Sequence, residues 1–264
     1  MKRVVTERIQ RNAPCVRMSR ERRKSTGAAA TMTGMEATPT RREASDAVGD
    51  LGWRLLLGTL CTTVPVGSLA AATAVAAHAV TACGDEADRH LVADLRPRRV
   101  VLTLQSADRA AVTADDIALA HRISAAVRAL GLRTEPGTGT GAPRSVQLLE
   151  IAIDALDIAA VRPFWRAVLG YADEAGGDGP RDPLVDPLGQ GPAVWFQQME
   201  LVRPQRNRIH LDVSVPHDEA LRRIEAALTA GGRLVSAARA PAFWVLADRE
   251  GNEACVTTWQ GRDG

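Results

Sequence analysis

Apolar residues fall into short phased groups from Arg41 onward. A brief helical pattern leads to Gly52 and Trp53, and two apolar stretches at 53–57 and 60–66, parted by Gly58 and Thr59, predict strands. Ser68 can cap a helix running to Gly84, with Leu69, Ala72, Ala76 and Val80 near helical spacing. His90 to Leu95 and Val100 to Ser106 predict a hairpin about Arg96, Pro97 and Arg98. Thr113 with Asp116 forms a capping-box pattern, and Ile117, Ala120, Ile123, Val127 and Leu130 give the next helix one apolar face that Gly131 can end. The predicted order is α-β-β-α-β-β-α over residues 39–133. Thr134 to Ser145 has the composition of a flexible joint.

Beyond the joint the pattern repeats. LEIAID from Leu149 opens a strand followed by a helix through FWRAVLG; IHLDVSV from Ile209 opens a strand followed by a helix through ALRRIEAALTAGG. Short strands follow in each case, and Asp186-Pro187-Leu188-Gly189 is echoed by Asp248-Arg249-Glu250-Gly251. Two βαβββ modules over residues 146–262 explain this better than one open sheet, because a helix covers one sheet face and leaves the other to line a cavity. The fold class is α+β.

Composition sharpens the division. Of nine aromatic residues only Trp53 precedes Phe164, so the two halves build their cores differently. Residues 1–46 hold eleven Lys/Arg against five Asp/Glu; with no apolar period, residues 1–38 are expected to be a disordered basic extension. A basic tail with no base-stacking or groove-reading element does not point to nucleic acid. Leu55 to Gly84 carries no charge, but Gly58, Pro65 and Gly67 break it, so no membrane span is expected. Cys15, Cys61, Cys83 and Cys255 show neither a CxxC pair nor a disulfide framework, which fits a reducing cytoplasm.

The segments LEIAIDALDIAAVRPFWRAVLGY, RNRIHLDVSV and WVLADREGNEACV resemble, in order, the glyoxalase and bleomycin-resistance (vicinal oxygen chelate) superfamily. The resemblance implies a bowl of two βαβββ modules around a small-molecule ligand, with a divalent metal in some members. Ligand positions on the first and last strand of each module map onto Glu150, Gln197 (or Gln198), His210 and Cys255. Cys255 stands where a carboxylate usually closes the site; a thiolate suits zinc or iron better than magnesium. Three readings stay open: Glu150 and His210 as a hydrogen-bonded pair, as metal ligands, or as direct contacts to a ligand, with proton transfer as their catalytic role. Strand alternation turns Asp154 to the side of Glu150 and Asp212 to the side of His210, as candidate substrate-binding groups. One of each pair Trp195/Phe196 and Phe243/Trp244 can face the cavity.

The front half resembles pterin-4a-carbinolamine dehydratase through RHLVADLRP, VVLTLQS and VTADDIALAHRI, with Asp85, His90 and Asp116 at matching positions. It departs at Arg89, Leu91, Pro97 and Ala107. Dehydrating a carbinolamine takes positioned imidazoles, and Arg89 cannot act as a base at neutral pH. The expectation is a retained fold with weakened chemistry in which His90 is the residual acid/base. Taken together, the sequence predicts a glyoxalase-like binding protein or lyase acting in the C-terminal bowl. The alternatives are 4a-hydroxytetrahydrobiopterin dehydratase and a module that only sequesters a drug or metabolite. Both resembled families pair subunits, which implies a homodimer.

Overall fold

A computed structural model describes residues 38–137, 144–177, 179–203, 205 and 209–261. The basic extension, apart from residue 38, and residues 138–143 of the joint lie outside this set. In the front half, α1 (Arg41–Val48) is capped by Thr40, whose hydroxyl accepts from Glu43 N while the Glu43 carboxylate accepts from Thr40 N at 2.8 Å. Then come β1 (Arg54–Leu56), β2 (Thr59–Pro65), α2 (Leu69–Cys83), the single turn α3 (Ala87–His90), β3 (Leu91–Arg96), β4 (Arg99–Leu104) and α4 (Ala114–Ala129). The strands form an antiparallel sheet in the order β1-β2-β4-β3. Its core gathers Trp53, Leu60, Val64, Leu102 and Leu104 with Leu119 and Ile123 of α4. The Trp53 indole N–H donates to Ser124 Oγ at 2.9 Å, so the one front-half aromatic is buried with its polar atom paired.

The uncharged run 55–84 is divided among β1, β2 and α2, and no helix among the described residues is long and apolar enough to cross a membrane. The buried face of α2 is Ala72, Val75, Ala79 and Cys83; Leu69 and Val80, expected inside, are exposed. Small apolar residues cover most of that helix, so the sequence carries little polar contrast to set its phase. The opening of the presumed joint is built into the sheet: Thr63 and Glu135 exchange backbone hydrogen bonds of 2.9 and 2.8 Å, and Thr134 Oγ1 donates to Leu51 O at 2.6 Å.

The second half has β5 (Glu150–Ala155), α5 (Ile158–Leu169), β6 (Ala172–Asp173), β7 (Leu184–Val185) and β8 (Ala193–Gln198), then β9 (Leu211–Ser214), α6 (Ala220–Thr229), β10 (Arg233–Arg239), β11 (Phe243–Ala247) and β12 (Glu253–Thr257). Each βαβββ module is one sheet, ordered β5-β8-β7-β6 and β9-β12-β11-β10, and in each the first strand runs parallel to the last. One core joins the modules, with Phe164 and Trp165 of α5, Ile224 and Ala227 of α6 and Leu246 of β11. Two aspartates explain the sequence echo. Asp186 accepts from the backbone of Leu188, Gln190 and Gly191, and Asp248 accepts from Glu250 N and Asn252 N. Each closes the turn before its module's last strand.

Candidate functional site

Alternation along the strands sorts the candidate residues by face. On β5, Ile153 and Ala155 are buried in the core, leaving Glu150, Ala152 and Asp154 on the opposite side, where both carboxylates are half-buried. On β8, Val194 and Phe196 go to the core, so Trp195 and Gln197 share the face of Asp154, and Gln197 is its register partner. This separates the two candidate amides. Gln198 Nε2 donates to Leu156 O at 2.7 Å and its Oε1 accepts from Arg181, so it secures the strand end. In the second module Leu246 and Trp244 pack with the core, while Phe243 and Val245 stand opposite, in register with Thr257 and Cys255.

His210, Asp212 and Cys255 come together on that helix-free face. His210 immediately precedes β9, Asp212 lies on it, and Cys255 is the register neighbour of Asp212 on β12. His210 Nδ1 is 3.2 Å from Asp212 Oδ1 and 3.6 Å from Cys255 Sγ, and the three ligand atoms lie within 4.8 Å of one another. Cys255 is buried at 5 % exposure, whereas the side chains of His210 and Asp212 are 44 % and 60 % exposed, so a buried thiol sits below an open imidazole and carboxylate. Beside them the Ser214 and Thr257 hydroxyls are 2.7 Å apart. Glu150 is not a member of this group.

The donor set fits a divalent cation. A tetrahedral zinc with bonds of about 2.0–2.3 Å separates its ligand atoms by about 3.4–3.6 Å. The 3.6 Å spacing matches, the 3.2 Å spacing needs to open by about 0.2 Å, and the Asp212–Cys255 pair lies within 4.8 Å. Thiolate, imidazole and carboxylate suit zinc or iron(II), and three protein ligands leave a coordination position for a ligand. Asp212, expected as a substrate contact, lies within this cluster beside His210 and Cys255. The His-x-Asp alternation signalled a shared side, but its meeting with Cys255 depends on the parallel β9–β12 register.

In the front half, His90 is the last residue of α3 and not the first of a strand. Its Nδ1 lies 2.8 Å from Asp116 Oδ1, with side-chain exposures of 9 % and 0 %. Asp116 also accepts from Thr113 N and Oγ1 at 2.7 and 2.8 Å, so the carboxylate that caps α4 also orients the imidazole. Arg89 is ion-paired with Asp108, and Asp85 lies in the helical turn before α3.

Residues 150–257 match the model of a family described as a glyoxalase-like domain. Among solved structures, a glyoxalase/bleomycin resistance protein/dioxygenase family enzyme from Burkholderia phytofirmans PsJN is 17% identical, with 41% of this chain and 95% of that chain covered at a TM-score of 0.32. A mutant of the fosfomycin resistance protein FosX from Listeria monocytogenes, complexed with Mn(II) and 1S,2S-dihydroxypropylphosphonic acid, is 11% identical, covering 45% and 96% at 0.35. A transcriptional coactivator/pterin dehydratase from Brucella melitensis is 22% identical, covering 34% and 98% at 0.31. No curated protein matches the chain.

Proposed function

We propose that residues 150–257 bind a small molecule on the helix-free sheet faces, around a divalent cation of the zinc or iron(II) class held by His210, Asp212 and Cys255. The convergence of these three ligand atoms supports the reading. Such a cation would act as a Lewis acid, polarising an oxygen of the bound molecule. The chain's own residues supply the rest. Glu150 is the candidate proton acceptor and Asp154 and Gln197 the polar contacts, because they share the half-buried face of the first module. The reaction class is lyase-type proton transfer next to the polarised oxygen. The front half acts as a dehydratase-like domain of reduced activity, with His90 held by Asp116 as its proton-transfer group.

Cobalt(II) titration of the purified protein tests the site. One equivalent should bind with a thiolate-to-cobalt absorption that Cys255→Ser abolishes, and His210→Ala should weaken binding about 100-fold or more. A protein that takes up no cation, in which His210→Ala lowers stability alone, would reduce the trio to a structural hydrogen-bond network. For the front half, turnover of a 4a-carbinolamine pterin should be slow and lost in His90→Ala.

A further inference from the structure

The helix-free face of the front sheet borders a cavity of about 1020 Å³ that shares no lining residue with the His210 group. Its floor includes Cys61, Thr63, Val101 and Thr103, paired across β2 and β4. The stretch 131–137 and residues from 144 to 148 make its walls, tied together by the hydrogen bond from Val146 N to Pro136 O at 2.9 Å. Arg98, Arg99, Arg133 and Arg144 line it. Among the described residues, the only carboxylate in the lining is Glu135, and Arg133 engages it at 2.9 Å. Among the described residues, the Arg98 and Arg99 guanidinium groups have no hydrogen-bond or ion-pair partner. Burial pushes the Cys61 thiol up to about 11, so the floor carries no negative charge at neutral pH.

Four cations around one concavity, against one engaged carboxylate, attract anions and repel one another until an anion arrives. A guanidinium fork suits phosphate, sulfonate or carboxylate oxygens, and Val101, Val146 and Leu132 offer apolar surface beside it. We propose that this cavity binds a small organic anion with an apolar body, its anionic group held by Arg98 and Arg99 and its body lying over the Thr63–Val101 floor.

Isothermal titration calorimetry of the full chain with 2-naphthyl phosphate and 2-naphthol at low salt tests this. The phosphate should bind one-to-one, about tenfold or more tighter than the alcohol, and weaken as salt rises. The Arg98→Ala/Arg99→Ala double variant should lose about tenfold or more with its melting temperature unchanged. Val101→Trp should block binding by filling the floor, and Arg222→Ala, an exposed pair with Glu219 on α6, should change nothing. Absence of binding, equal affinity for the alcohol, or full binding by the double variant would overturn the proposal. So would sedimentation showing a dimer that Arg99→Glu dissociates, since a second copy would then cover the face.

Discussion

Asp248 and Asp186 head equivalent turns, yet they do different work. Asp248 is fully buried; besides the backbone donors of its turn it accepts from Asn252 Nδ2 at 2.9 Å and, from outside the turn, from the indole N–H of Trp165 at 3.0 Å. Two residues on, the Glu250 carboxylate accepts from Leu156 N and Asp157 N at the start of α5. The second module's turn is therefore bonded into the first module. Asp248→Ala should leave the Trp165 donor buried without a partner and cost about 3 kcal/mol, against about 1 kcal/mol for Asp186→Ala. Equal losses in urea unfolding followed by tryptophan fluorescence would contradict this division. Burial tends to raise the Asp186 pKa, but three backbone donors outweigh it and hold it below the usual value. A lowered folded-state pKa makes the stabilisation complete at neutral pH and removes it as pH falls through that value. Amide exchange at Leu188, Gln190 and Gly191, corrected for intrinsic rates, should thus accelerate only below about pH 4.

Among the helices, legibility followed contrast. α4 mixes charged and apolar residues, and the expected positions Ala120, Ile123 and Val127 are fully buried; α2 is nearly all small and apolar, and its inward face was misjudged. Strand faces were legible for the same reason, as Glu150 and Asp154 stand opposite Ile153 and Ala155. Register was legible only through the resemblance, which set His210 and Cys255 in one ligand set; they meet across 45 residues of chain, and no local pattern records which β12 residue lies beside β9. Tight helix contacts were equally hidden. A Cβ on Gly232, just after α6, would lie 2.3 Å from the Phe164 ring and 2.8 Å from Ala227 O. Gly232→Ala should therefore destabilise by about 1–3 kcal/mol through overpacking. Gly67→Ala meets nothing within 4 Å and should leave the melting temperature nearly unchanged, which makes it the matched control.

At the scale of the molecule, the two core clusters share no residue among those described. Each has its own aromatic anchor, and the first is built on one sheet and the second on two. Residues 146–264 expressed alone should accordingly show a cooperative thermal transition; a molten or insoluble product would place necessary contacts upstream. The composition shift at Phe164 pointed to this division, whereas the rung between Thr63 and Glu135 gave no warning in the chain. Within the second half, the parallel pairing of each module's first strand with its last leaves every ladder bond among the described residues inside one module. Severing the chain between residues 199 and 210 breaks no ladder, and the common core together with the Asp248 and Glu250 ties supplies the means of rejoining. Two fragments cut there should accordingly reassociate when mixed, which recovery of the native tryptophan fluorescence would report.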